Sequence, residues 1–289
     1  CEEPLRIVQN TAQALGLPLS SLEIELGPSQ VEAVFDVTDA LTAADNMVIF
    51  RNAVKQALRR SGYHATFMCR PPFPNIMSSG WHLHQSLLST ETNKNAFVRD
   101  ENRHDKVSPN KDFILSELGI HYLAGLLAHA RGAAAFCSAT ANSYARFRPN
   151  ALAPQLISWG HDNRGAMCRV IGPKGHPSTR IENRLGEPSA NPYLYFSSQI
   201  HSGLSGIEQS LNPPPSIENP YSMDSHEELL LPTNLNQALE ALMIDANLNK
   251  GFGDEFIRYY AQIKSSEAKR HMTSENSIEF DRREYFGRI

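Results

Sequence analysis

The sequence is poor in cysteine and has no long apolar run, and both features narrow the classes of protein it can belong to. Only four cysteines occur in 289 residues, at positions 1, 69, 137 and 168, with no C-x-x-C pair. Scattered thiols of this kind indicate a reducing compartment rather than a disulfide framework or a zinc site, so a cytoplasmic location is expected. The most apolar stretch, residues 114–136, contains two charged and two histidine side chains, which excludes a membrane span of about 18 residues.

An excess of one charge sign is also absent. The chain has 27 Lys and Arg against 31 Asp and Glu, a formal net charge of -4 and a pI near 6.3. A nucleic-acid partner is therefore disfavoured, because such binders carry a basic excess. The 41% of hydrophobic residues is ample for a buried core. The opening CEEPLRIVQNTAQALG has no initiator Met and is already helical in pattern, so we expect the chain to begin within a longer protein.

The pattern of apolar residues predicts an α+β fold. Helical spacing with capping residues predicts helices over residues 4–15, 39–60, 113–131, 191–211, 235–248 and 253–272. Alternation predicts a hairpin over residues 22–37 with a Gly27-Pro28-Ser29 turn. Further strands are predicted over residues 65–69, 155–159, 166–171 and 179–185. Residues 100–112 and 213–220 are predicted loops. Since the strands outnumber β-α-β units, we expect a mainly antiparallel sheet.

Residues 78–86, SSGWHLHQS, place two histidines one residue apart. In a β-strand His82 and His84 would lie on the same face, with Leu83 on the other. Such a pair can supply ligands or donors to a single position. It can equally be one histidine packed against a backbone carbonyl and one in solvent, which is the commoner case for an isolated H-x-H.

Four separated motifs occur in one order along the chain: ELGPSQVE (25–32), GWHLHQS (80–86), NSYARFRP (142–149) with DNRGAMCR (162–169), and RIENR (180–184) followed by ANPY. Together they resemble the catalytic domain of the glutamine synthetase family, over nearly the whole chain. The resemblance implies a curved, mainly antiparallel sheet flanked by helices. Residues 1–289 would form the C-terminal part of that domain, with the family's N-terminal β-grasp domain and first catalytic strand outside this chain.

The resemblance also implies a two-metal site that binds ATP. Glu25 and Glu32 would hold one divalent ion, and His82 with Glu182 would hold the second, near the nucleotide phosphates. Carboxylate oxygens are the ligands preferred by Mg²⁺ and Mn²⁺, and Mn²⁺ tolerates one imidazole. A single strand Glu taken alone would more often be an ordinary surface acid.

The arginines match positions at which the family binds anions. Arg146 would bind the α-carboxylate of glutamate and Arg184 would lie on its γ-carboxylate side, while Arg164 and Arg169 would be catalytic and contact phosphate. The nucleotide would be bound by His84, Ser86, Arg169 and Arg180. The implied reaction is phosphorylation of the glutamate γ-carboxylate by ATP, followed by attack of an amine on the acyl phosphate. Its charged phosphoryl oxygens need metal ions and guanidinium groups.

Two positions depart from the family pattern. Leu152 stands where glutamine synthetases carry a flap glutamate that binds ammonium. A carboxylate about 4 Å from ammonium contributes roughly 4 kcal/mol at an effective dielectric near 20, before desolvation. Its replacement by leucine therefore favours an amine with a carbon body, as in relatives that make γ-glutamyl amides of organic amines, and an aromatic amine most of all. Met77-Ser78-Ser79-Gly80 replaces an Asn-Gly-Ser-Gly run that offers a backbone carbonyl to the glutamate ammonium.

The leading hypothesis is an ATP-dependent ligase that joins glutamate to an organic, apolar amine. Two alternatives remain: a glutamine synthetase that uses ammonium, and a catalytically inactive structural or regulatory relative. The resemblance further implies a homo-oligomer, by default a dodecamer of two hexameric rings with sites shared between neighbouring subunits.

Overall fold

The computed structural model describes residues 2–99, 114–148, 151–220 and 229–289. Its α-helices are α1 (Glu2–Ala14), α2 (Ala40–Arg60), α3 (Glu117–Ala128), α4 (Ala130–Cys137), α5 (Pro192–Glu208), α6 (Leu235–Ile244), α7 (Ala246–Phe252), α8 (Asp254–Met272) and α9 (Ser277–Asp281). A 3-10 turn spans Ala141–Arg146, and a π-helical turn spans Arg282–Phe286. The strands are β1 (Leu19–Ile24), β2 (Val31–Phe35), β3 (Leu83–Gln85), β4 (Trp159–His161), β5 (Cys168–Ile171) and β6 (Arg180–Asn183).

The N-terminal part of the chain contains the two predicted helices and the predicted β-hairpin, and they pack against one another. Strands β1 and β2 pair antiparallel around the turn that contains Gly27, with Glu23 opposite Glu32. Helix α2 begins behind Asp39, whose side chain accepts a hydrogen bond of 2.9 Å from the Thr42 amide. This cap satisfies one of the free amides of the first turn. Helices and hairpin enclose a small core of their own: Val8, Ala12, Leu17, Phe50, Val54 and Leu58.

The second sheet has four strands in the order β3-β6-β5-β4. Strand β6 runs antiparallel to both β3 and β5, and β4 is parallel to β5. The sheet is therefore mainly antiparallel, as expected. The strands are shorter than predicted, and of residues 155–159 only Trp159 lies in a strand.

The strand predicted over residues 65–69 is wrong. These residues form no strand, although Met68 and Cys69 are buried. Their backbone groups bond elsewhere: the Phe67 amide donates to the Ile289 carbonyl at 3.2 Å, and the Cys69 carbonyl accepts from the Ser79 amide at 2.7 Å. The residue types suit a strand, but no other strand of the described chain pairs with this segment to form a ladder.

The helices pack on the four-stranded sheet and enclose the main core, which includes Leu123, Phe136, Trp159 and Ile181. The helix predicted over residues 113–131 begins behind Ser116 and ends at Ala128, where α4 follows. The one predicted over residues 235–248 divides at Asp245, whose carboxylate caps α7 through the Leu248 amide at 2.9 Å. In the described ranges no helix is both long and apolar enough to cross a bilayer. The loop predicted over residues 100–112 lies outside the described residues.

Candidate active site

Strands β3 and β6 bring both histidines of the SSGWHLHQS stretch to one carboxylate. His84 pairs directly with Glu182 across the ladder, and His82 immediately precedes β3. The Glu182 Oε1 atom lies 3.2 Å from His82 Nδ1 and 3.9 Å from His84 Nε2. The two imidazoles therefore share a face, as the strand alternation predicts.

The partners of the histidines determine where their protons lie. Arg180 Nε can only donate, and it lies 3.0 Å from His84 Nδ1, so the His84 proton is on Nε2. Burial lowers the pKa of His82 to about 4, against the opposing hydrogen bond to Glu182. His82 is therefore neutral near pH 7, which is the protonation state required of a metal ligand.

Glu182 is 2% exposed, and two arginines balance its charge. Arg184 Nη1 lies 2.6 Å from Oε1, and Arg169 Nη1 lies 3.1 Å from Oε2. Burial alone would raise the pKa of Glu182, but the hydrogen bond from His82 and the charge of Arg184 hold it well below its usual range. Glu182 is therefore ionised at any pH at which the protein would work.

Glu25 and Glu32 face one another on the hairpin and share a hydrogen bond. Partial burial raises the pKa of Glu32 to about 7, and the bond and charge of Glu25 add to the shift, although solvent still reaches part of the side chain. The amide of Leu26 donates to Glu25 at 2.9 Å and lowers its pKa, as does the bond with Glu32. Two acids that share a proton would release it to solvent when a divalent cation binds between them, and the cation would then relieve their repulsion.

The Glu25 and Glu32 pair interacts electrostatically with the residues around Glu182. His82 and Arg164 interact with Glu25, and Arg184 interacts with Glu32. Among the described residues no group of three or more His, Cys, Asp or Glu side chains is placed to hold a metal ion. Each pair thus offers two protein ligands, which suits Mg²⁺, an ion that commonly keeps its waters and takes substrate phosphate oxygens.

Arg146 is 4% exposed and lies beside His82. Its guanidinium donates to the carbonyls of Arg184 and Gly186, both at 2.9 Å, and of Leu185 at 3.2 Å. Its Nη2 atom also lies 3.4 Å from His82 Nε2. The arginine predicted to bind glutamate therefore also orders the backbone behind β6.

The remaining predicted residues lie at the borders of this group. Arg164 is exposed, and Ser86 is exposed directly after β3. Leu152 is 45% exposed, has a left-handed φ of 54°, and accepts a hydrogen bond of 3.4 Å from Arg184 Nη2 through its carbonyl. The backbone at Leu152 therefore lies beside Arg184, one of the predicted site residues.

Two further residues within the four motifs, Asp162 and Gln30, contact the site, although the sequence did not single them out. Asp162 accepts hydrogen bonds from Nε and Nη2 of Arg169, the former at 2.9 Å. Gln30 connects the hairpin turn to Ser78 and Ser79. Gln30 contacts residues 48 and 49 positions away, and Asp162 contacts a residue of the neighbouring strand β5. The spacing of residues along the sequence does not predict either contact.

The altered turn before the histidines needs no glycine-like backbone. Ser78 and Ser79 are not among the residues with positive φ. Ser78 Oγ accepts a hydrogen bond of 2.9 Å from Arg70 Nη1. Serine is therefore compatible with this turn, where the family pattern has glycine.

The structure thus combines an acid-bearing hairpin with a mixed sheet that carries a His-Glu-Arg cluster. The family model described as glutamine synthetase, catalytic domain, matches residues 2–283. The chain belongs to the glutamine synthetase family.

Similar proteins carry two different enzyme names, γ-glutamylanilide synthase and glutamine synthetase. The chain is 43% identical over 283 residues to a γ-glutamylanilide synthase of Acinetobacter sp, an alignment that covers 94% of this chain and 54% of the relative. It is 36% identical over 287 residues to a glutamine synthetase of Thermus thermophilus, covering 97% and 61%. A solved structure described as GmaS/ADP complex-Conformation 1 superimposes with a TM-score of 0.81 at 30% identity, covering 97% of this chain and 63% of that one. The chain thus spans less than two thirds of the length of these relatives.

Proposed function

We propose that this protein is an ATP-dependent ligase that joins the γ-carboxylate of glutamate to an organic amine through a γ-glutamyl phosphate. The observation that carries the proposal is that two candidate ligand pairs, Glu25 with Glu32 and His82 with Glu182, interact electrostatically through His82 and a set of arginines. Carboxylates and guanidinium groups around one space are what a reaction of ATP with a carboxylate requires. The 43% identity to a γ-glutamylanilide synthase supports it.

In the proposed reaction an oxygen of the γ-carboxylate attacks the γ-phosphorus of ATP, the bond to the β–γ bridging oxygen breaks, and ADP leaves. The nitrogen of a neutral amine then attacks the acyl carbon, the bond from that carbon to the phosphate oxygen breaks, and the nitrogen releases one proton. The products are a γ-glutamyl amide and inorganic phosphate. Both steps concentrate charge on phosphoryl oxygens, which Arg164 and Arg169 would stabilise.

The metal ligands in this proposal are Glu25 and Glu32 for one ion and His82 and Glu182 for the other. The neutral state of His82 supports the assignment, because the His82 and Glu182 pair can bind a cation without losing a proton. The hairpin acids would release their shared proton when a cation binds between them. When bound, Mg²⁺ or Mn²⁺ neutralises phosphate charge.

The substrate assignments follow the same arrangement. His84, Ser86, Arg169 and Arg180 would contact the nucleotide, and the similar solved structure is an ADP complex, which is consistent with a nucleotide site. Arg146 and Arg184 would bind glutamate. We further propose that residues 1–289 are the C-terminal part of the catalytic domain and that the enzyme works in the cytoplasm.

Leu152 carries the choice of amine. A non-glycine residue in the left-handed region is strained, and such strain is often kept for a function. Its side chain is partly exposed, and its backbone carbonyl lies beside Arg184. An aromatic amine arrives neutral and needs no carboxylate to bind or deprotonate it, unlike ammonium. We therefore place the amine beside Leu152 and propose an apolar, aromatic monoamine as the substrate.

The function is tested by measuring ADP release by the full-length protein with glutamate plus aniline, an alkylamine, a polyamine or ammonium. We expect the highest kcat/KM with aniline. Burial of about 80 Å² of ring surface would contribute about 2 kcal/mol, or roughly thirtyfold over ammonium. Chelation of divalent ions should stop ADP release, and Mg²⁺ or Mn²⁺ should restore it.

The variant Leu152→Glu restores a carboxylate and should shift kcat/KM toward ammonium by tenfold or more. Leu15→Glu is the control, since Leu15 is similarly exposed, at 49%, but lies just after α1. If ammonium is the best substrate of the unmodified protein, the protein is a glutamine synthetase, which its relatives of that name make the second candidate. Absence of ADP release with every amine would instead support an inactive relative.

A further inference from the structure

Gln30 closes the turn of the hairpin that carries the two acids. Its side-chain Oε1 atom accepts a hydrogen bond of 2.9 Å from the Gly27 amide. Its backbone amide donates to the Gly27 carbonyl at 3.1 Å. Its carbonyl accepts from the Glu25 amide at 3.0 Å. Gln30 therefore determines the shape of the chain between Glu25 and Glu32.

The other end of the same side chain reaches a segment 48 and 49 residues away. Nε2 donates to Ser79 Oγ at 2.9 Å and lies 3.3 Å from the Ser78 carbonyl oxygen. The contact is close, because a Cβ atom on Gly27 would lie 2.6 Å from Gln30 Oε1 and 3.1 Å from Met77 Cβ. The hairpin turn and residues 77–80 are thus packed together through one amide group.

Residues 77–80 lead directly to the glutamate side of the site. A Cβ atom on Gly80 would lie 2.5 Å from Arg146 Nη2 and 2.9 Å from His82 Nε2. The segment is therefore in contact with the arginine assigned to glutamate and with a proposed metal ligand. A shift of this segment by an ångström would change the space above Arg146.

We propose that Gln30 is a positioning residue that ties the hairpin acids to residues 78–80 and so holds the glutamate site in register with the metal site, an inference that rests on the proposed ligase function. The amide is suited to this, since it accepts from one segment and donates to the other. A hydrocarbon or a carboxylate at position 30 cannot make all three contacts. Arg180 and His84, proposed on the nucleotide side, make none of them.

The test compares Gln30→Ala and Gln30→Met with the unmodified full-length protein. Loss of the bonds to Ser78 and Ser79 should raise the KM for glutamate about tenfold, while the KM for ATP stays within about twofold. Gln13→Ala, which removes an exposed glutamine of α1, is the control and should change neither constant. A merely structural role would move both KM values together, and that result would overturn the proposal.

Hydrogen–deuterium exchange gives a readout that does not depend on activity. In Gln30→Ala the amides of residues 76–81 should exchange at least about fivefold faster, with those of α5 unchanged. Ser79→Ala removes only the accepting hydroxyl and should give a smaller change in the same peptide, which also covers the case in which the Gln30 variants fold poorly. Unchanged exchange of residues 76–81 would refute the positioning role even if no amine supports ADP release, whereas that absence by itself refutes only the ligase function.

Discussion

Asp162 and Arg169 meet at the edge of the four-stranded sheet and form an ion pair outside the buried cluster. Asp162 follows β4 with a left-handed φ of 48°, a conformation that aspartate and asparagine tolerate better than most residues. Arg169 lies between this exposed carboxylate and the buried Glu182. The guanidinium group of Arg169, which is proposed to contact the phosphate of ATP, is therefore already paired with two carboxylates.

Asp162→Asn should lower the KM for ATP about two- to fivefold. Asparagine keeps the left-handed backbone and one oxygen acceptor, but it removes the negative charge that competes with phosphate for Arg169. The effect is modest because the exposed pair is screened by solvent. Steady-state ADP release at varied ATP measures it.

Asp36→Asn removes an exposed aspartate from the chain after β2 and is the matched control. An unchanged or higher KM for ATP in Asp162→Asn would contradict competition and would indicate that the carboxylate itself is needed to orient Arg169.

Helices α3 and α5 cross with almost no side chain between their backbones. A Cβ atom on Gly206 would lie 2.6 Å from the Gly125 nitrogen and 2.7 Å from the Gly125 Cα, and would collide with the His121 carbonyl. Gly203 lies likewise against the ring of Tyr122. The crossing therefore depends on glycine for close approach, not for a special backbone angle.

Gly206→Ala should lower the stability by about 3 kcal/mol, since neither backbone can move without disturbing the main core. For a chain of this length the loss corresponds to a Tm lower by roughly 5 °C. Thermal unfolding followed by circular dichroism measures the change. Gly287→Ala is the control, because a Cβ there has open space around it and φ is -87°. Equal Tm values for both variants would show that the crossing can relax.

A second link between helices uses hydrogen bonds. His129, between α3 and α4, has Nδ1 2.8 Å from an oxygen of Asp245 and Nε2 3.0 Å from Ser205 Oγ in α5. Since the carboxylate only accepts, Nδ1 carries the proton and Ser205 donates to Nε2. The order is that of a hydrolase triad, but Ser205 is 2% exposed. A substrate could not reach it, so the three residues tie helices together.

At the scale of the whole molecule, the exposed apolar side chains of the hairpin are relevant to the formation of oligomers. Ile24, Leu26 and Val31 are exposed beside the acid pair, on a sheet that has two strands in the described part of the chain. A cluster of exposed apolar side chains next to a site is typical of an interface. This supports the proposal, first implied by the family resemblance, that the enzyme is a homo-oligomer.

Light scattering of the full-length protein should give about twelve times the monomer mass if the enzyme forms two hexameric rings. Ile24→Asp would bury a charge in the proposed interface and should shift the distribution toward smaller species. A monomer mass for the unmodified protein would contradict the assembly.

Local features of the fold follow from the sequence alone. The hairpin turn at Gly27, the caps at Asp39 and Asn191 and the end of α2 near Gly62 are all where the residue types predict them. Each depends on contacts within about four residues, so the local chain contains all the necessary information. The convergence of His82 and His84 on Glu182 was likewise predictable, from strand alternation together with the family motifs.

Other features were decided only by the tertiary structure. Residues 65–69 have a strand pattern, but the C-terminal Ile289 takes the bond that a strand would have made. Gln30 meets Ser79, and Arg169 meets Asp162, through side chains whose reach no periodicity records. Such contacts form only after distant segments have closed into one body, because their partners are chosen by the folded backbone and not by neighbours in the chain.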